Sequence, residues 1–135
     1  MPELEIISSE PNGSLRFGDH TLTAKQKSDD YEVNGDVYRV KSHSEITRAE
    51  KNGKLLFESV PGTSVRDFSL DEKCCEFLMN GRDNTRVTIE LEPEREYRIY
   101  IDGVNAGNSM SNRSSKLSFS VDLHNEFIKI KIERV

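Results

Sequence analysis

The chain has 135 residues, of which 34% are hydrophobic and 32% are charged, and it contains no Trp. Its 24 acidic and 19 basic residues give a net charge of −5, which argues against nucleic acid or an anionic membrane surface as a partner. This length fits a single domain over residues 1–135, with a subdivision into 1–70 and 71–135 as the alternative.

The N-terminus, Met1 to Ile7, has no basic start and no apolar run of signal-peptide length. No stretch of the chain approaches the roughly 20 apolar residues of a membrane span. The two cysteines, Cys74 and Cys75, are adjacent, so on a strand they point to opposite faces and do not readily bridge. We therefore expect a cytoplasmic protein with one thiol in the core and the other near the surface.

Five Asn-Gly or Asp-Gly pairs punctuate the chain, each between runs that alternate apolar and polar residues. Such pairs suit two-residue type I′ turns, because both central residues of that turn need a positive φ. The repetition predicts consecutive antiparallel hairpins and leaves little room for helix. The pairs are Asn12-Gly13, Asn34-Gly35, Asn52-Gly53, Asn80-Gly81 and Asp102-Gly103.

Short alternating runs in the first half predict six strands between these turns. The last of them ends at Pro61 and Gly62, because proline removes a ladder donor and glycine loosens the backbone. The six predicted strands cover residues 3–8, 15–17, 20–27, 31–33, 37–40 and 54–60.

Residues 42–51 are ambiguous between strand and helix. Ser44 suits the N-cap of a short helix, but Ile46 and Ala49 would be its only apolar pair. We therefore favour a strand that leads into the Asn52-Gly53 turn.

Apolar and polar residues alternate most clearly in the second half of the chain. Strands are expected over 65–70 and 75–79, and four later runs place branched or aromatic residues at every second position: Val87/Ile89/Leu91, Tyr97/Ile99/Ile101, Leu117/Phe119/Val121 and Ile128/Ile130/Ile132. Four such faces can be buried against a second sheet. The fold class is therefore all-β, an antiparallel sandwich or partly open barrel of about nine to twelve short strands.

Two charge arguments follow from this alternation. The last strand carries Lys129, Lys131 and Arg134 and is expected to be a charged, protected sheet edge. Glu90 and Glu92 are expected to lie opposite these two lysines across neighbouring strands.

The polar stretch 107–115 is predicted to be a loop, and it is the likeliest contact surface. Small polar residues on a rigid β scaffold suit adaptable recognition. The candidate contact residues are Asn108, Ser109, Met110, Asn112 and Arg113.

The motifs of known catalytic and cofactor sites are missing from the sequence. It has no G-x-S-x-G elbow, no zinc-ligand spacing and no phosphate-binding glycine loop. His20, His43 and His124 are scattered near turns and strand ends, and we expect all three at the surface or at an edge. We assign no catalytic residue, cofactor or metal ligand, and we expect a non-enzymatic protein.

Carbohydrate binding or processing is a second hypothesis. It requires a shallow groove that holds Tyr31, Tyr38 or Tyr100 beside two carboxylates, whereas burial of these rings in the core counts against it. Tyr100 is the best exposed candidate, because it alternates with Ile99 and Ile101.

Several stretches together suggest a relationship: Gly13–Gly18, Asp30–Lys41, Glu50–Gly53, Glu58–Thr63 and Tyr97–Gly107 with Lys116–Val121. Taken together, the chain resembles a group of short proteins of clostridial and related bacteria without an established activity, some of which carry the label "endosialidase" by transferred naming. The resemblance implies a free-standing bacterial β protein. The chain has no S-x-D-x-G-x-T-W box and is far too short for a six-bladed propeller, so we reject sialidase activity.

The leading hypothesis is therefore a non-enzymatic binding or structural module, such as an accessory part of a larger assembly. Its partner is expected to be another protein or a second copy of the chain in a homodimer. The alternatives are the carbohydrate role and a small-molecule binder with a cavity inside a β-barrel.

Overall fold

The computed structural model describes residues 6–11, 13–71 and 73–135. Within these ranges there is no helix, and thirteen strands form two antiparallel sheets, which confirms the all-β class with one strand more than the upper figure expected. The strands are β1 (Ile7–Ser9), β2 (Leu15–Phe17), β3 (Gln26–Val33), β4 (Asp36–Ser42), β5 (Thr47–Lys51), β6 (Lys54–Val60), β7 (Ser64–Leu70), β8 (Cys74–Asn80), β9 (Thr85–Glu90), β10 (Glu96–Ile101), β11 (Val104–Met110), β12 (Lys116–Val121) and β13 (Ile128–Arg134). Among the described residues, no helix is long and apolar enough to cross a membrane.

The two sheets pack face to face as a sandwich and do not close into a barrel. The seven-stranded sheet has the order β1-β2-β7-β8-β13-β10-β11, and the six-stranded sheet has the order β12-β9-β6-β5-β4-β3. Residues from both sides of residue 70 contribute to one hydrophobic core. At its centre Phe17, Phe57, Phe68 and Phe77 lie with ring centroids 5.2 to 6.4 Å apart. Most of these pairs are edge to face, the geometry that aromatic rings favour.

Three of the five turn signals form the expected hairpins. Both residues have positive φ at Asn34-Gly35 (50° and 85°), Asn52-Gly53 (52° and 81°) and Asp102-Gly103 (52° and 83°). Asn12 lies outside the described residues, although Gly13 has a φ of 88°. Asn80-Gly81 does not form a hairpin turn. It starts the crossing from β8 to β9, which belong to different sheets, and neither residue has a positive φ.

The strand expected over 20–27 is wrong for most of its length, since β3 begins at Gln26. Asp19 explains the difference, because its Oδ1 accepts hydrogen bonds from the backbone N–H of Thr21, at 3.0 Å, and from the Thr21 hydroxyl. This side-chain turn competes with a strand ladder. The first strand, expected over 3–8, is observed as β1, and residues 3–5 lie outside the described part of the chain.

The ambiguous segment 42–51 resolves in favour of a strand. Thr47–Lys51 forms β5, which pairs with β4 on one side and β6 on the other. Residues 43–46 bend the chain between β4 and β5, where the His43 N–H donates to the carbonyl of Ile46 at 2.9 Å.

The expected position of the last strand is wrong. β13 lies inside its sheet, between β8 and β10, because Ile130 and Ile132 are fully buried and both of its edges are paired. The ion pairs near this strand also differ from those expected between Glu90 or Glu92 and its lysines. Lys131 lies 3.9 Å from Glu76, whereas Glu90 pairs with Lys116 at 3.1 Å.

A network of buried hydroxyls fixes the segment between β6 and β7. Ser42, Thr47, Ser59 and Thr63 each have 0% exposure. The Thr47 hydroxyl donates to the Thr63 carbonyl at 2.7 Å and accepts from the Thr63 N–H at 3.0 Å. Ser42 Oγ lies 2.8 Å from the same Thr47 hydroxyl. Thr63 Oγ1 is 2.7 Å from Ser59 Oγ. These bonds satisfy polar groups that water does not reach, so this part of the sandwich holds one conformation.

Candidate functional site

The expected contact loop is an edge strand followed by a tight turn. Residues 104–110 form β11, so Asn108, Ser109 and Met110 lie on a strand and not on a loop. The loop prediction failed here because small polar residues have low strand propensity, whereas the Asp102-Gly103 turn folds them back onto β10. Asn112 and Arg113 lie in the turn that follows.

Hydrogen bonds hold that turn in place. Ser111 is 3% exposed, and its hydroxyl donates to the carbonyl of Glu92 and accepts from the N–H of Arg95 at 3.0 Å. Asn112 Oδ1 accepts from the N–H groups of Ser114 and Lys116 at 2.9 and 3.0 Å. Asn112 is therefore occupied with closing the turn.

Arg113 is the exposed cationic side chain of this turn. Its side chain is 94% exposed, and its Nε lies 3.5 Å from Glu94 Oε1. An ion pair this exposed contributes little stability, so Arg113 is available to a partner.

The outer side of β11 has no neighbouring strand. β11 ends the seven-stranded sheet, and six of its seven residues are exposed. In an antiparallel pair every second residue directs its N–H and C=O away from the partner strand, so β11 presents unpaired backbone groups outward. Val104 and Met110, at its two ends, are 68% and 64% exposed.

The four edge strands differ in how they are protected against pairing. β1 has only three residues. β3 contains four charged residues and an irregularity at Asp30, whose φ is 55°. β12 carries Lys116, which is paired with Glu90. Of the described edges, β11 alone is both seven residues long and free of charge, and charges are the usual means of blocking an edge.

One irregularity interrupts β11. Gly107 pairs with Ile99 and Asn105 pairs with Tyr100, so Ala106 is an extra residue. Asn105 Oδ1 accepts the Gly107 N–H at 2.8 Å and stabilises this bulge. Gly107 has a φ of 106°, which favours glycine there. The regular part of the edge is Gly107–Met110.

The three candidate tyrosines do not share one groove. Tyr31 and Tyr38 are cross-strand partners in the six-stranded sheet, whereas Tyr100 lies on β10 of the other sheet. Tyr38 lines a cavity of about 520 Å³ together with Asp67 and Glu76, but its ring is only 8% exposed and belongs to the core. Burial is also the main reason why the pKa of Tyr38 is raised. Its ring is therefore not presented as a stacking surface.

The burial of His20 was not predicted from the sequence. We expected a surface or edge histidine, yet His20 is 8% exposed and its Nδ1 lies 2.7 Å from Ser64 Oγ. The same Oγ accepts the His20 backbone N–H at 3.2 Å. Burial lowers the pKa of His20, while Asp19 opposes this shift and Arg82 adds to it. The lowered pKa favours a neutral ring, which is hydrogen-bonded to Ser64 Oγ through Nδ1.

The region around His20 is a polar pocket of about 460 Å³. It is lined by Ser8, Arg16, Asp19, His20, Ser64, Arg66, Asn80 and Phe127, among others. These residues come from five separate segments of the chain, so no motif spacing could have revealed them. Only the strand pairing brings them together.

The two thiols take the places expected for them. Cys75 is buried in the core, and Cys74 is half-buried beside a mostly apolar cavity of about 380 Å³. Burial raises the pKa of both thiols, which favours their protonated and less nucleophilic form near pH 7. In the described part of the chain no group of three His, Cys, Asp or Glu residues is placed to hold a metal ion.

Comparison of the chain with protein-family models, curated proteins and solved structures gave no match.

Proposed function

We propose that this chain is a non-enzymatic structural and binding module that assembles through the edge of β11. We further propose that its partner there is a second copy of the chain, paired antiparallel about a two-fold axis. The observation that supports this proposal is an edge strand of seven residues that is exposed, uncharged and unpaired on its outer side. Pairing of two such edges would join two seven-stranded sheets into one continuous sheet.

The features at the ends of β11 favour self-pairing over an unrelated strand. Antiparallel pairing brings the start of one β11 beside the end of the other. Exposed Val104 then approaches Met110 of the second copy, and both lose water-exposed apolar surface. Asp102, in the turn before β11, approaches Arg113 of the second copy, in the turn after it. Both contacts occur twice about a two-fold axis.

The strand itself adds no repulsion to this arrangement. Residues 104–110 contain no charged side chain, so like charges do not meet across the axis. Backbone groups that water now satisfies would gain partners in a ladder, and the fixed Asn112 turn keeps the end of the strand in place.

We also propose that the protein resides in the cytoplasm. Cys74 and Cys75 are both free thiols, which is typical of a reducing compartment. The module would therefore assemble without disulfides.

A charge swap at Asn108 tests the proposal. Asn108 is exposed and lies near the middle of the regular part of β11. We expect wild-type protein to be dimeric in analytical ultracentrifugation, and we expect Asn108→Lys and Asn108→Asp to be monomeric, because each places like charges close together across the axis. An equimolar mixture of the two variants should restore the dimer, since opposite charges then meet.

Gln26→Lys is the matched control. Gln26 is also an exposed neutral amide at an edge strand, but it lies on β3 in the other sheet. This variant should remain dimeric. A monomeric wild-type protein at high concentration, or a dimer that persists in both Asn108 variants, would refute the assembly through β11.

A further inference from the structure

The polar pocket around His20 lies at the opposite end of the seven-stranded sheet from β11. Its walls come from β1, β2, β7 and β8, whereas β11 is the last strand on the other side. A function for this pocket is therefore independent of assembly through β11.

The pocket is built on a fixed base. Ser64 Oγ is held by both the backbone and the ring of His20, at 3.2 and 2.7 Å. The Asp19 N–H donates to Ser42 Oγ at 2.8 Å, which ties the same segment to the buried hydroxyl network. Side chains on such a base keep their positions without a ligand, which reduces the cost of binding.

Two arginines give the pocket a positive charge. Arg16 and Arg66 both line it, and neither forms an ion pair within the described residues, although five other arginines do. The Arg66 guanidinium lies 4.2 Å from the centre of the Phe127 ring, which fixes its orientation. Unpaired guanidinium groups that converge on one cavity suit a carboxylate or a phosphate.

The acidic residue of the pocket does not cancel this charge fully. Asp19 is the one carboxylate that lines the cavity, and its Oδ1 already accepts two hydrogen bonds from Thr21. Asp19 is thereby held in its own turn. The lining keeps an excess of one positive charge even when Asp19 is counted.

Besides the two arginines, the Asn80 amide is a second feature of the pocket that suits ligand recognition. Its Oδ1 is buried and has no hydrogen-bond partner among the described residues, the one such side-chain atom found there. A buried amide oxygen without a partner costs stability, so this amide is not committed to the fold. Because this oxygen has almost no accessible surface, the Asn80 amide would have to turn toward the pocket that it lines for a ligand hydroxyl to pair with it and offset that cost.

We infer that this pocket binds a small hydroxylated organic anion, with its carboxylate or phosphate between Arg16 and Arg66 and a hydroxyl group at the Asn80 amide. The volume of about 460 Å³ accommodates a ligand of the size of a monosaccharide acid or phosphate. Ser64 and His20 form the wall beside these groups and orient the ligand.

Calorimetric titration with four probes tests this inference. Glucose 6-phosphate and glucuronate carry both an anionic group and hydroxyls, glucose lacks the charge, and inorganic phosphate lacks the carbon-bound hydroxyls. We expect one or both of the first two to bind, and to bind at least about tenfold more tightly than glucose or inorganic phosphate. Comparison of the first two probes distinguishes a phosphate ligand from a carboxylate ligand.

Substitutions locate the binding. Arg16→Gln and Arg66→Gln should each weaken binding about tenfold or more, since each removes a charge-assisted contact. Asn80→Ala should weaken binding of the hydroxylated probe and leave inorganic phosphate unaffected. Arg86→Gln is the control, because Arg86 is an exposed arginine on β9 in the other sheet.

Two results would overturn the inference. One is the absence of measurable binding by either hydroxylated anion while circular dichroism shows a folded protein. The other is binding that Arg86→Gln weakens as much as Arg16→Gln does. Both results leave the Asn108 charge swap unaffected, so this inference and the assembly through β11 fail separately.

Discussion

Replacement of Thr47 by valine isolates the contribution of the buried hydroxyl network, because the two side chains have nearly the same shape. Thr47 is fully buried on β5. Its hydroxyl serves three groups: it donates to the Thr63 carbonyl, accepts from the Thr63 N–H and lies 2.8 Å from Ser42 Oγ. Thr47→Val removes the partner of the Thr63 carbonyl and of the Thr63 N–H, whereas Ser42 Oγ keeps its hydrogen bond from the Asp19 N–H.

The expected cost follows from the number of groups left unpaired. A buried polar group without a partner costs about 1–3 kcal/mol, so the two Thr63 groups together cost about 2–6 kcal/mol. The additional buried methyl group returns about 0.8 kcal/mol. We therefore expect the free energy of unfolding to fall by about 1–5 kcal/mol, a large part of the 5–15 kcal/mol that is typical of a folded domain.

Urea unfolding followed by far-ultraviolet circular dichroism measures this loss, with Thr88→Val as the matched substitution. Thr88 Oγ1 contacts Ser118 Oγ at 2.9 Å on a half-buried face that water reaches, so its loss should cost no more than about 0.5 kcal/mol. Thr47→Ser keeps the hydroxyl and should retain most of the stability. If Thr47→Val and Thr88→Val lower the stability equally, the buried hydroxyl network adds no stability beyond that of an ordinary half-buried hydroxyl contact.

Three further predictions concern other parts of the sandwich. Gly62→Ala should cost about 3 kcal/mol or more in urea unfolding, because a Cβ would lie 1.9 Å from the carbonyl oxygen of His43, a backbone atom that cannot turn aside. Stability should fall as the pH drops below about 6.5, since His20 has a lowered pKa and the unfolded chain then binds a proton that the folded chain resists. In alkylation with iodoacetamide, Cys74 should react before Cys75, which should react only as the chain opens.

Each of these predictions has its own control. Gly53→Ala tests the glycine argument, because a Cβ there meets no atom within 4 Å and only the φ of 81° opposes it, at about 1–2 kcal/mol. His20→Gln should flatten the fall in stability on the acid side, and an unchanged pH profile would contradict the assignment to His20. Equal alkylation rates for the two thiols would show that Cys75 is not enclosed in the folded protein.

The sequence predicts those parts of the fold that depend on local chemistry. The turns at Asn34, Asn52 and Asp102 follow from the positive φ that these residues tolerate before glycine. The buried faces of β9, β10, β12 and β13 follow from the alternation of branched residues. Both signals act over two to eight residues, so no knowledge of the tertiary structure is needed to interpret them.

Features that depend on pairing between distant strands were not predictable in this way. The alternation of β13 is the same for a central and an edge strand, so its lysines suggested an edge that the pairing with β8 and β10 rules out. In β7 the bulge at Asp67, with a φ of 52°, lets Val65 and Phe68 both face the core although they are three residues apart. A strict period of two does not anticipate such a bulge.

The net charge of the chain illustrates the same limit for the candidate sites. A total of −5 argues against partners that require an extended basic surface, because such a surface would alter the balance of the whole composition. It does not exclude a pocket with two arginines, because acidic residues elsewhere outweigh them in the sum. Arg16 and Arg66 are separated by fifty residues in sequence and meet only because β2 pairs with β7. The local charge at a site is therefore set by strand pairing, and a small anion remains a reasonable ligand for an acidic protein.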